Sequence, residues 1–452
     1  MRKKSGLLLL GVSLGYFMVL LDTTIVSVAL PSIQEELGGS LSKLEWITNA
    51  YTLVFASLLL TMGSLSDKLG GKRMYSIGLA ILGLASVIMV ATSSVGVLIG
   101  MRAVLGIGAA ALLPSSMTLL SHAFPVPAER ARALGIWAGV TGAALAAGPV
   151  VGGILIDAIG WRSIFLLNVP IALISFGLTW TLLKETPRQT QKHIDFPGQI
   201  AAMITLGFLT FALIESQTLG WSSLGVLTSL GIALLAACMF LWIELRTSHP
   251  MLPLHLFRQR TLSAGLLAGM LINFGFSGIL FIMPLFFHHV LGYTASLTGL
   301  AFLPLTVPTV VGPMISGRVV SRIGSRIPMS LGFIATSLGT FLLAAASSSY
   351  AVMLIGFVLI GTGVAFTIPP LVTATLSAAP QGQAGIVSGA LNASRQLGAV
   401  LGIAILGAIL QGNSSYSRGF ELDLIIIGIL LLVGALLSYR YMVGGSRQNK
   451  GV

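Results

Sequence analysis

The chain has 452 residues, 55% of them hydrophobic and only 8% charged, about a third of the charged share usual in a soluble domain. That composition excludes a soluble globular protein of this size, which needs a charged surface. The net charge of +12 taken alone would fit a nucleic-acid binder, and the single cysteine, Cys238, excludes an intramolecular disulfide.

Apolar runs of about 20 residues, the length that crosses a ~30 Å hydrocarbon core as a helix, recur from end to end. In chain order, about 14 predicted spans cover 6–30, 46–66, 73–92, 95–122, 132–156, 163–183, 197–216, 223–243, 262–287, 297–317, 327–346, 350–373, 386–410 and 422–441. The short alternating segments of a membrane barrel are not seen, so an all-α integral membrane protein is expected. Met1-Arg2-Lys3-Lys4 followed by an apolar run is similar to a secretory signal. The run is longer than such a region, carries Asp22 and is followed by more spans, so it reads as an uncleaved first span. The 54 glycines fit helices that approach closely in a membrane. The polar stretches at roughly 184–196 and 244–261 are loops too short for a soluble domain, the second broken by His249, Pro250 and Pro253.

Placing the first residue in the cytoplasm puts Arg2, Lys3, Lys4, Lys68, Lys72, Arg73, Arg318, Arg322 and Arg326 on that side. Of the 25 basic residues, only Lys43, Arg162 and Arg418 then fall in outer loops. This asymmetry predicts an even number of spans with both termini cytoplasmic. It sets the basic loops against anionic lipid head groups and explains the positive balance without nucleic acid.

An internal repeat is visible. Gly63, Lys68, Gly70 and Lys72 recur at identical offsets as Gly317, Arg322, Gly324 and Arg326, after the second and tenth spans. Leu98-Ile99-Gly100 with Gly106 and Gly108 recurs, one residue shorter, as Leu354-Ile355-Gly356 with Gly361 and Gly363. Spans 1–6 and 9–14 therefore read as parallel repeats with spans 7 and 8 inserted.

Five motifs follow in order: Leu21-Asp22-Thr23-Thr24 through Pro31 in the first span; Gly63 to Arg73 in the loop after the second; Arg102 with Gly106 and Gly108 in the fourth; Gly139 through Gly148-Pro149 and Gly152-Gly153 in the fifth; and Gly160-Trp161-Arg162, Phe165, Asn168 and Pro170 at the sixth. As an ordered set they resemble the 14-span drug:proton antiporters of the major facilitator superfamily, a resemblance that extends over the whole chain. The resemblance implies two six-helix bundles, 1–195 and 261–452, joined by two helices in 196–260, with a substrate site between the halves near the midplane. It also implies multidrug efflux and antibiotic resistance: proton-driven export of lipophilic, often cationic, compounds from the cell membrane, with the proton gradient as energy source and no other cofactor.

Asp22 lies about 16 residues into the first predicted span, roughly 24 Å along it, in the outer half. A charged carboxylate there is expensive, so it is expected to be neutral part of the time or paired. Burial favours the neutral carboxyl and a nearby cation the charged one, and a group tuned between those limits can carry a proton. The alternative is a plain hydrogen bond to a neighbouring helix. Arg102, about 7 residues into the fourth span from the outside, has a similar depth. The two are expected to communicate, directly or through water, with Arg102 helping to expel the proton; a fixed structural ion pair is the alternative.

Asp67 at a helix end can cap the next helix or pair with Lys68, Lys72 or Arg73. The resemblance implies a conformational latch over Gly63, Asp67, Lys68, Gly70, Lys72 and Arg73, against the alternative of a charged turn that only obeys the orientation rule. Gly148-Pro149 breaks the helical ladder and, with Gly152 and Gly153, allows a kink and close packing. The resemblance makes this an antiporter hinge, which is compatible with ordinary small-residue packing. Arg395 beside Gln396 needs a partner or a water-filled cavity; an anionic ligand group and a helix C-terminus both fit. Trp46, Tyr51 and Asn273 are candidate pocket residues, with lipid contact or packing as the alternative. His288 and His289 read as interfacial, since two adjacent histidines do not make a metal site.

No ATP-binding loop exists, because Gly71-Lys72 is followed by Arg73, and no nucleophile elbow or Cys/His cluster points to an enzyme. Asp22 is the only clear acidic residue within the spans, with Asp157 and Glu215 at span ends, so the expected cargo is monovalent cationic or neutral. Expected partners are small lipophilic substrates, protons and membrane lipids, and twofold pseudo-symmetry within one chain makes oligomerisation unnecessary. Two other readings remain. An exporter of one physiological compound (a lipid, an antibiotic or a metabolite) would show one dominant ligand. A channel would show flux without a proton gradient, and a sensor binding without flux.

Overall fold

A computed structural model of the chain describes residues 3–188, 195–247, 250–345, 349–380, 383–413 and 415–442. Arg2, His249 and positions 189–194 of the predicted polar loop lie outside these residues. The described helices are, in order, α1 (Lys3–Leu37), α2 (Leu41–Leu69), α3 (Gly71–Ala91), α4 (Val95–Ala123), α5 (Pro127–Ile159), α6 (Ser163–Leu166), α7 (Asn168–Leu182), α8 (Phe196–Leu219), α9 (Leu224–Arg246), α10 (Arg260–His289), α11 (Ala295–Ala301), α12 (Leu303–Ile323), α13 (Arg326–Ala345), α14 (Tyr350–Ser377), α15 (Ala384–Gly412) and α16 (Tyr416–Tyr441). Fourteen helical segments are long and apolar enough to cross a membrane, the predicted number.

The helices overrun the apolar runs because backbone hydrogen bonding continues past the first polar side chains. α1 reaches Leu37 and α2 starts at Leu41, so polar residues such as Glu45 are helical although hydropathy leaves them out. α5 starts at Pro127, whose fixed φ and missing N–H suit a first helical turn. Two predicted spans are interrupted, at Leu167 between α6 and α7 and at Phe302 between α11 and α12. Pro170 and Pro304 explain the breaks: each lacks the N–H that would bond the carbonyl four residues back, across the interruption.

The chain forms two compact units, one of residues 1–206 with 293–300 and the other of 207–292 with 301–452. The inserted segment 196–260 is shared between them, the division falling within α8. In the first unit α1 packs on α4, α5 and α7, α4 also on α2 and α3, and α3 on α7. The second unit repeats this neighbour pattern with α10, α12, α13, α14, α15 and α16 in place of α1, α2, α3, α4, α5 and α7.

Glycine enforces the repeat, because without a hydrophobic drive between helices in lipid, close van der Waals packing holds them together. A Cβ on Gly106 of α4 would lie 2.6 Å from the Tyr51 carbonyl of α2; one on Gly361 of α14 would collide with the Leu305 carbonyl of α12. Gly148 of α5 sits on Thr24 of α1, and Gly398 of α15 on Met270 of α10. The recurring loop glycines have a different reason. Gly70 and Gly324 end α2 and α12 with φ of 103° and 79°, where a Cβ is strained.

The polarity is that of a lipid-solvated chain. Leu224, Leu234, Leu235 and Leu245 of α9 are exposed, while Asp22, Glu45, Arg102 and Asp423 are buried.

Two substitutions on α4 test the glycine packing. Gly106→Val should cost about 1–3 kcal/mol or more by overpacking and reduce the yield of monodisperse protein in detergent chromatography. Gly100→Val, where nothing lies within 4 Å, should match wild type.

Candidate functional site

α1 is 35 residues long, so Asp22 lies near its middle. The Arg102 guanidinium on α4 forms an ion pair with Asp22, Nη1 to Oδ2, with side chains 1% and 0% exposed. Arg102 Nε donates to the Ile47 carbonyl of α2 at 2.8 Å, and the guanidinium lies over the Tyr51 ring, 4.5 Å from its centroid. The Tyr51 hydroxyl in turn donates to the Val19 carbonyl of α1 at 3.1 Å, one turn before Asp22. Gly106, one turn beyond Arg102, lets the α2 backbone come this close. Three helices thus hold one cation.

The other carboxylate oxygen, Asp22 Oδ1, has no hydrogen-bond partner among the described residues. Arginine stays charged under all physiological conditions, so the carboxyl is the member of the pair that can change charge. A proton on Asp22 would compete with Arg102 for the carboxylate, and the Ile47 carbonyl and the Tyr51 ring are further contacts of the guanidinium that do not depend on that charge.

The fifth-span glycines lie against this turn of α1, with Gly148 on Thr24 and Gly152 on Ile25. α5 continues unbroken through Pro149, so the expected break in the ladder does not end the helix; proline removes one hydrogen bond while tertiary packing keeps the axis. Gly153 sits against Ala295 and Ser296. The Asp157 carboxylate accepts from the Ala295 and Ser296 N–H groups at 3.2 and 2.9 Å, capping the start of α11 within the first unit.

The N–H groups that begin α3 are capped by Glu185 and Thr186, which follow α7. Glu185 accepts from the N–H groups of Lys72 at 2.9 Å and Arg73 at 3.1 Å, and Thr186 Oγ1 from that of Gly71 at 2.7 Å. Asp67 belongs to the last turn of α2. Lys72 Nζ donates to the Trp180 and Leu183 carbonyls at 2.8 Å each, a favourable place for a cation beside a helix C-terminus. Gly63 touches Pro114 of α4, and Lys68 is exposed.

In the second unit Arg395 Nε on α15 donates to Asn273 Oδ1 on α10 at 3.2 Å, over Gly269; Gln396 is half-buried. Trp46 is half-buried on α2, and Tyr51 is taken up by the ion pair. His288 and His289 lie with ring centroids 5.1 Å apart, and no group of three or more metal-ligating side chains occurs among the described residues.

Asp22 is not the only acid inside a span. Glu45 on α2, Glu244 on α9 and Asp423 on α16 are all buried. Hydropathy placed them at or beyond span ends because each has a second charged residue two positions away, Lys43, Arg246 and Glu421, and the helices run on past the apolar stretches. Asn49, one turn after Glu45, is also buried, with both side-chain polar atoms unpartnered among the described residues. The four-residue spacing of Glu45 and Asn49 was the available signal.

Glu185→Ala should lower stability by about 1 kcal/mol, the usual cost of a lost helix cap. A thermal-shift measurement on the detergent-purified chain checks this as a reduced Tm.

Residues 12–403 match the model of the Major Facilitator Superfamily. The multidrug resistance protein Stp of Mycobacterium tuberculosis is 35% identical over 411 residues, covering 91% of this chain and 76% of that protein. The methylenomycin A resistance protein of Streptomyces coelicolor is 33% identical over 447 residues, covering 98% and 94%. Among solved structures, a bacterial homolog of the human lysosomal transporter Spinster superposes with a TM-score of 0.69 at 16% identity, covering 97% of each chain, a likeness of fold. The match over most of the chain, with 14 apolar helices in two repeated units, makes this a multi-pass membrane transporter that belongs to the Major Facilitator Superfamily.

Proposed function

We propose that this transporter is a proton-coupled exporter of small lipophilic compounds, with Asp22 as proton carrier and Arg102 as the cation that returns the carboxyl to its charged form. The observation that carries the reading is the buried Arg102–Asp22 pair with one carboxylate oxygen left open. An unpaired charge at membrane depth costs about 2.5–3.5 kcal/mol on insertion scales, so protonation of Asp22 and its pairing with Arg102 exclude each other and can be linked to two conformations. The names of the relatives, a multidrug resistance protein and single-antibiotic resistance proteins, support export as the direction. The proton gradient is the proposed energy source.

The placement of lysine and arginine supports both termini on the cytoplasmic side of the cell membrane. Gly63 to Arg73 would then form a cytoplasmic latch, in which Lys72 and the Glu185 cap tie the start of α3 to the end of α7. The fifth-span glycines would act as a hinge beside Asp22. Cargo charge is left to measurement: the argument for monovalent cargo rested on Asp22 being the one acid within the spans, and Glu45, Glu244 and Asp423 remove that basis.

A narrower reading, export of one antibiotic, draws on relatives named for methylenomycin A and tetracenomycin C.

In reconstituted vesicles with an imposed proton gradient, Asp22→Asn should reduce gradient-driven dye efflux by about tenfold or more, as expected when the only group in the pair that changes charge is lost. Arg102→Ala should lose the wild-type pH dependence, and an unchanged profile would remove Arg102 from coupling. Competition assays separate the two cargo readings. Several unrelated dyes inhibiting one another's efflux indicates a multidrug exporter, whereas a single compound that outcompetes all others indicates a dedicated one.

A further inference from the structure

Asp423 of α16 is buried at 0% exposure, and neither carboxylate oxygen has a hydrogen-bond partner among the described residues. The buried hydroxyl of Tyr416 is also unpartnered among them. Tyr416 lies seven residues earlier on α16, two turns away on the same face. Around this turn Phe420 stacks on Phe286 of α10 at 4.0 Å and Gly419 meets Leu410 of α15. One turn further on, Ile427 packs at Gly275 and Gly278 of α10, and the Gly428 carbonyl accepts from Ser337 of α13 at 2.8 Å. The lining is apolar.

α16 packs against α10, α13 and α15, and the charged residues of α13 and α15 lie at other levels. Arg326, the one charged residue of α13, sits over Tyr439, about 24 Å along α16 from Asp423. Arg395, the one charged residue of α15, is held at Asn273, roughly 20 Å along α10 from the Phe286 level. α10 carries Arg260 at its far end and His288 and His289 at the near end, where the His289 ring meets Tyr416 at 5.6 Å. Tyr350 is the one titratable residue of α14, the next helix against α10. On α16 itself Arg418 is exposed and Glu421 half-buried, both on other faces.

Among the described residues an ionised carboxylate at this position has no hydrogen-bond donor and no Lys or Arg at its level. A metal ion there would need several oxygen ligands, and no such cluster exists among the described residues. A proton needs no further ligand and removes the charge. We propose that Asp423 is a proton-binding site of the second unit, separate from Asp22. It is filled in this conformation and exchanges with the medium when the end of α16 bearing Tyr416 loosens from the His289 end of α10.

The test is infrared difference spectroscopy on the full-length protein in lipid, following the C=O stretch of protonated carboxyl groups through a pH titration. Wild type should show at neutral pH a band that Asp423→Asn loses and Asp22→Asn retains. Asp423→Glu should shift the band, which decides the question if the Asn variant is not recovered folded. Spectra of wild type and the Asp423 variants that coincide at neutral pH would overturn the proposal, since the carboxyl would then be ionised. Because the readout is a vibrational band and not transport, loss of the proton-coupled export reading would leave this result unaffected, and the reverse also holds.

Discussion

The Arg102–Asp22 ion pair organises the first unit, because in lipid a buried cation must be satisfied by the protein that surrounds it. Arg102 draws on α1 through Asp22 and on α2 through the Ile47 carbonyl and the Tyr51 ring. Those demands fix where α1, α2 and α4 meet. Gly106 and Gly148 follow from them: α2 and α5 can approach the pair only where a side chain is missing. The same low-dielectric setting that makes the pair a structural clamp makes its charge state consequential. Adding one proton to Asp22 changes the energetics of three helices together.

The second unit repeats the helix packing without repeating this pair. Gly361 stands where Gly106 does, against the α12 carbonyl of Leu305. Four residues before Gly361 the chain has Phe357 where the first unit has Arg102, and α10 carries no acidic residue at all. Phe357 instead joins an aromatic cluster with Phe287 and Phe302. Glycine-mediated contact therefore sustains the fold in both units, while the charge chemistry differs. Among the six repeated helices of the second unit, the buried acid is Asp423 on α16, the counterpart of α7 and not of α1. With protons bound at Asp22 and Asp423 as proposed, duplicated packing with unduplicated charge would let the two units respond to different protonation events.

The loop after α2 shows how a short motif serves two kinds of constraint. Gly70 is required by backbone geometry, as its φ of 103° shows. Lys72 is required by electrostatics, since it neutralises the carbonyl end of α7. Glu185 and Thr186 then close the open N–H groups of α3. A motif recognised as one string is thus a set of separate contacts, several of them to residues more than a hundred positions away.

The sequence by itself determined the solvent of this protein, the number of its spans and the existence of the repeat. Each of these is one-dimensional: apolar run length is set by bilayer thickness, and the glycine and basic offsets recur along the chain. It also pointed to Asp22 and Arg102, because charges inside apolar runs are conspicuous. The tertiary structure alone decided that these two residues touch, that Tyr51 and Ile47 share the cation, and that Glu185 caps α3. It alone placed Glu45, Asn49 and Asp423 in the interior. Burial depends on which face of a helix meets a neighbour and on how far the helix runs beyond its apolar stretch. Hydropathy averages over faces and stops at the first polar residues, so it cannot resolve either.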